Sequence, residues 1–175
     1  MQNKHKEEIQ DILKLEKSIP HKKDGFIIWR LPDGTIHRKF APAVELPDGS
    51  TEWHSNGKLH REDGPAYESA DGSKYWYLNG KLHREDGPAI EGADGGKYWF
   101  LNGNRHRDNG PAIELADGTI EWWIKGKLHR EDGPAIERTD GSKEWWIHGQ
   151  RDQENSPNIE RITRTKECSD QKKKT

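Results

Sequence analysis

Between residues 25 and 149 the apolar side chains fall into two short runs that return every 23 residues. One run is Pro-Ala-Ile-Glu, as at 88–91. The other is Lys-Tyr-Trp-Tyr-Leu at 74–78, with counterparts at 97–101 and 143–147. Both have the length and bounding residues of strands rather than helices. The Asp-Gly between them supplies the positive φ of a hairpin turn, and a second turn signal, Asn-Gly, closes the longer run at Asn56-Gly57, Asn79-Gly80 and Asn102-Gly103. The polar stretch Lys-Leu-His-Arg-Glu-Asp that follows reads as an ordered loop. A third strand there would invert successive copies in a meander. The pattern therefore predicts two strands per repeat, each repeat advancing roughly 9–10 Å at about 4.8 Å per strand.

Alternation across one continuous strand places Trp76 and Leu78 on one face and Tyr75 and Tyr77 on the other. The column Trp53, Trp76, Trp99, Trp122, Trp145 reads as packing. The column after it is His54, Tyr77, Phe100, Trp123, Trp146. It reads either as packing or as an exposed aromatic binding face.

No column slips between Asp48 and Trp145. His60, His83, His106 and His129 are each followed by Arg, and Gly-Pro-Ala recurs at 64–66, 87–89, 110–112 and 133–135. This is the signature of stacked units that bury their faces against one another. His37-Arg38 extends the series, whereas the earlier stretch with Trp29 is out of register. Pro157, Ile159 and Glu160 sit 23 after Pro134, Ile136 and Glu137. Both ends read as atypical capping repeats.

The resulting expectation is an all-β chain: an elongated single antiparallel sheet of stacked hairpin repeats over 25–160. A short amphipathic helix, or cap, occupies 1–24, with Ile9, Ile12 and Leu13 on its apolar side and Pro20 as its stop. Residues 161–175 form a disordered polar tail.

A hydrophobic content of 29% against 34% charged residues leans toward disorder, but Trp at fixed spacing reverses that inference. Net charge is −2, and the body at 25–149 carries sixteen Lys/Arg against twenty-one Asp/Glu. A mildly acidic body argues against nucleic-acid binding, which needs a basic stripe. No apolar run approaches a membrane span. A lone cysteine, Cys168, and the absence of an apolar leader make cytoplasmic the expected setting.

The unit at 81–99, preceded by Asn79-Gly80, resembles the MORN repeat and its bacterial variants, with a similar period, aromatic pair, Asn-Gly-Lys-x-His segment and Ala-Asp-Gly turn. The resemblance covers 35–149. It departs where the MORN unit has Gly-x-Gly after its His; here Arg84 to Ala89 read Arg-Glu-Asp-Gly-Pro-Ala. That form is similar to repeats of bacterial and bacteriophage proteins. The resemblance implies the stacked-hairpin fold and a scaffold, lipid-associated or antitoxin-like role.

The His-Arg-Glu-Asp segment combines a base, a cation and two carboxylates. It nevertheless recurs four times and lacks a nucleophile, so no catalytic residue is assigned. Histidines about 9–10 Å apart cannot share a zinc ion, so no metal and no cofactor are assigned. The expectation is a non-enzymatic protein-interaction module, in its most concrete form a phage- or bacteria-encoded inhibitor or antitoxin. Its candidate edge comprises His60, Arg61, Glu62, His83, Arg84, Glu85, His106, Arg107, His129, Arg130 and Glu131. The partner would be a protein, and self-association through the helix or a sheet edge is the other possibility. The alternative is a small-ligand binder with aromatic pockets between repeats, on the face of Tyr77, Phe100, Trp123 and Trp146.

Overall fold

The computed structural model describes residues 18–152. Residues 1–17 of the helix or cap expected over 1–24, the last half-repeat around Ile159 and the polar tail lie outside the described residues. All regular elements among the described residues are strands.

The array begins before residue 25. Ile19–Lys23 is the first strand, paired antiparallel with Phe26–Arg30 through an Asp24-Gly25 turn. Pro20 thus sits in a strand and not at a helix stop. It is tolerated there because the strand lies at the edge of the sheet, where a missing N–H costs no ladder bond.

From this hairpin a twelve-stranded antiparallel sheet runs to Lys143–Glu144. Each repeat contributes two strands, for example Ile90–Glu91 and Lys97–Tyr98. The turn between them is the expected one. Asp94 Oδ1 accepts the Gly96 N–H at 2.9 Å, and Gly95 adopts φ 92°. Successive turns are tied together, since Ala70 N–H donates to Ser50 Oγ at 2.9 Å and Ala93 N–H to Ser73 Oγ at 3.0 Å.

The longer apolar run is not one strand. Lys74–Tyr75 belongs to the long sheet, whereas Tyr77–Leu78 pairs with Lys81–Leu82 in a separate hairpin. Each unit therefore has four short strands, and the Lys-Leu of the supposed loop is one of them. Five such hairpins form a second row beside the sheet: His54–Ser55 with Lys58–Leu59, the pair just named, Phe100–Leu101 with Asn104–Arg105, Trp123–Ile124 with Lys127–Leu128, and Trp146–Ile147 with Gln150–Arg151. The recurring Trp is where the chain passes between the rows. Trp76 N–H donates to Ala89 O at 2.8 Å, while Trp76 O accepts from His83 N–H at 3.0 Å. Its two backbone groups thus have partners in different places, and the alternation assumed across Trp76 does not carry through.

Hairpins of the second row bond to their neighbours. Gly80 N–H donates to Leu59 O at 2.8 Å, and Arg61 N–H to Tyr77 O at 3.1 Å. Their two-residue turns have positive φ at both positions, as at Asn79 (52°) and Gly80 (80°). The first unit differs. Its turn, Leu31-Pro32-Asp33-Gly34, is the longer kind closed by Leu31 N–H to Thr35 O, so Arg30 faces Ile36 six residues on, where Tyr77 faces Leu82 five on. That extra residue is why Trp29 falls out of the 23-residue register.

The core is thin. Ala43, Ala66, Ala89, Ala112 and Ala135 are fully buried, joined by Val44, Ile113 and Ile136. No thick central layer is needed, because each unit packs mainly on its neighbours.

Candidate functional site

The His-Arg-Glu-Asp loops lie along one edge, and the structure separates their four side chains into two that face inward and two that face out. Arg84 is the hub. Its guanidinium carbon lies 4.1 Å from the Trp76 ring centroid. Its Nε donates to Asp86 at 2.9 Å, and one terminal nitrogen donates to Pro88 O at 3.2 Å and Glu91 Oε1 at 2.9 Å. Arg130 repeats the set over Trp122, and Arg61 repeats the stack over Trp53 and the bonds to Asp63 and Pro65 O, with Glu68 standing off at 3.5 Å. Arg107 keeps the stack over Trp99 and the bond to Glu114, but Asn109 stands in the Asp column. A Cβ on Gly87 would come within 2.9 Å of the Arg84 guanidinium carbon, so the Gly of Gly-Pro-Ala admits the arginine. The motif from His83 to Glu91 is thus a continuous packing device.

The histidines are also committed. Nδ1 of His60, His83, His106 and His129 accepts the N–H of Asn79, Asn102, Lys125 and His148 at 3.1–3.2 Å. Each bond crosses to the next repeat and sets the Nε2–H tautomer. Nε2 then faces the loop carboxylate two residues on, at 3.3–3.7 Å, in the pairs with Glu62, Glu85, Asp108 and Glu131.

The carboxylates face solvent. Glu62, Glu85 and Glu131 are 84%, 85% and 79% exposed at the side chain. Asp63, Asp86 and Asp132 stand beside them, their carboxyls held below the ordinary range chiefly by the arginine hydrogen bond and also by its charge. Of the expected edge, the outward-facing chemistry is therefore acidic, and the arginines and histidines form its underside.

Open clefts lie between successive loops. One of about 840 Å³ is bounded by Glu62, Asp63, Glu85 and Asp86 over Trp76 and Leu78. Another of about 340 Å³ lies over Trp99 and Leu101. A third, of about 480 Å³, lies between His37–Phe40 and His60–Asp63 over Trp53 and His54. Among the described residues no three of His, Cys, Asp and Glu gather around a point where a metal ion could sit.

The aromatic column is half-buried throughout. Trp123 Nε1 donates to Glu121 at 2.8 Å, Trp146 Nε1 to Glu144 at 3.0 Å, and His54 Nε2 lies 2.7 Å from Glu52. Where the column holds Tyr77 or Phe100, the residue two before is Tyr75 or Tyr98. This covariation is readable in the sequence, although only the aromatic half of it was singled out there.

No protein-family model matches the chain, and no curated protein matches it. What stands is the architecture itself: antiparallel hairpins repeated at 23-residue spacing in one long open sheet.

Proposed function

We propose that the chain is a non-enzymatic protein-binding module whose working surface is the acidic side of the His-Arg-Glu-Asp edge. The observation that carries this reading is the division of labour within each loop. Arg84 and His83 are bonded into the array, while Glu85 beside them is almost wholly exposed. A rigid underside with free carboxylates at roughly 9–10 Å intervals suits a partner that presents basic side chains at a matching spacing. Preorganisation of this kind lowers the ordering cost of association.

The most concrete version is an inhibitor or antitoxin-like protein that occupies a basic surface of its target. It draws on the resemblance of the Arg-Glu-Asp-Gly-Pro-Ala units to MORN-like bacterial and phage repeats. The second reading, a small-ligand binder, is favoured by the Trp-floored clefts between repeats. The Arg84–Trp76 stack counts against it, because an arginine already covers that ring.

The test is affinity capture by the full chain beside the Glu62→Lys/Glu85→Lys/Glu131→Lys variant, at low and high salt. A partner held by the wild type, lost by the folded variant and released by salt supports the edge. Capture indifferent to both, or Trp fluorescence that responds to a small molecule instead, overturns it.

A further inference from the structure

The first loop breaks the chemistry of the others. Where four loops carry a carboxylate two residues after the histidine, this one carries Lys39. Where three carry an aspartate after that, it carries Phe40. Both residues are exposed, and Phe40, at 67%, is the most exposed large apolar residue among the described residues. The Lys39 ammonium lies 5.2 Å from the Phe40 ring, with no carboxylate partner among the described residues. Arg38 before them is already occupied, stacked on Trp29 and bonded to Pro42 O.

The exchange reverses the sign of one cleft wall. The cleft of about 480 Å³ at this end has Lys39 and Phe40 on one wall and Glu62 and Asp63 on the other, with Trp53 and His54 between them. Glu62 and Asp63 are 84% and 82% exposed at the side chain, and neither is ion-paired with Lys39. The cleft over Trp76 is instead walled by Glu62 and Asp63 on one side and by Glu85 and Asp86 on the other. Two copies of that surface would set like charges together. Of the three clefts, the first is the one with a free cation on one wall and exposed carboxylates on the other.

We propose that this first cleft is a self-complementary docking site for a second copy of the chain. A two-fold contact needs a surface that matches itself, so that each residue meets its counterpart's complement in both directions. An axis running along the cleft meets that condition. It sets Lys39 of each copy against Glu62 of the other and lays each Phe40 ring over the opposite cleft, which Trp53 and His54 line. Two exposed rings taken out of water supply the apolar centre, and the two crossed charge pairs fix the register. Loops of this size bury less than about 1,200 Å², so the dimer belongs to the weak, reversible class. Glu85, Asp108 and Glu131 lie on later loops outside the contact, and a dimer carries them in duplicate. Glu62 is the residue shared with the acidic edge, but the inference does not depend on the partner proposed for that edge.

Sedimentation equilibrium of the full chain alone, at about 5–500 μM and low salt, tests it. The expected result is a monomer–dimer equilibrium that stops at two copies. Phe40→Ser, Lys39→Glu and Glu62→Lys, each checked for folding by circular dichroism, should each weaken it by about tenfold or more. An equimolar mixture of Lys39→Glu and Glu62→Lys should dimerise again, because both crossed pairs then join unlike charges. Four results would overturn the proposal: a monomer at every concentration, a dimer indifferent to all three substitutions, association that continues past two copies, or a mixture of the two charge variants that stays monomeric. The solution holds no other protein, so none of these results turns on capture at the acidic edge.

Discussion

The guanidinium carbon of Arg84 sits 4.1 Å from the ring centroid of Trp76, eight residues earlier, while its nitrogens hold Asp86, Pro88 and Glu91. One side chain therefore ties the point where the chain leaves the long sheet to the next strand of that sheet. The neighbouring Glu85 takes no part in this arrangement beyond a 3.6 Å approach to His83.

Arg84→Ala should therefore be costly and Glu85→Ala should not. Loss of the stack and of charge-assisted bonds, with Glu91 left unpaired, is expected to cost about 2–3 kcal/mol, against less than about 0.5 kcal/mol for Glu85→Ala. Thermal denaturation followed by circular dichroism separates the two. Equal melting temperatures would remove Arg84 from its assigned role.

Ala89 is fully buried, and its carbonyl accepts the Trp76 N–H. Ala89→Val adds volume where none is free and should destabilise the chain by about 1–3 kcal/mol, read as a lower denaturation midpoint. A neutral result would mean that the Ala column is looser than its burial implies.

Lys125 holds φ at 51° in the position that is Asn56, Asn79 and Asn102 elsewhere. Asn tolerates this left-handed geometry better than Lys, so Lys125→Asn should stabilise the chain by about 0.5–1 kcal/mol, leaving the N–H bond to His106 in place. A chemical-denaturation midpoint that fails to rise would refute this.

His37 should make stability depend on pH. Burial, with the Lys39 charge adding to it, lowers its pKa below the ordinary 6.5. The unfolded chain then takes up the proton at higher pH than the folded one. The stabilising contribution is complete above about pH 6.5 and is lost as pH falls through the folded value. Between pH 7.5 and 5 the wild type should lose stability more steeply than His37→Gln. Parallel slopes would contradict this.

Much of this architecture was legible because the columns never slip: His83, Arg84, Gly87 and Asp94 recur in step, so hairpin stacking followed from spacing alone. The break at Trp76 was not. Lys-Tyr-Trp-Tyr-Leu alternates identically whether it forms one strand or two, and only the separate partners of the Trp76 N–H and carbonyl decide the matter. The roles of His83 and Glu91 were hidden for a related reason. One bonds a backbone N–H 19 residues away and the other an arginine seven residues back, contacts that local periodicity does not encode. The edge was found from its repetition, but repetition could not tell the inward-facing arginine from the outward-facing glutamate.

That distinction is the centre of the account, and one paired measurement addresses it: melting temperature and partner capture, side by side, for Arg84→Ala and for Glu62→Lys/Glu85→Lys/Glu131→Lys in the full chain. The triple variant is expected to melt close to the wild type and to lose its partner, while Arg84→Ala melts several degrees lower. A triple variant that still captures the wild-type partner, or an Arg84→Ala protein that melts unchanged, would contradict it.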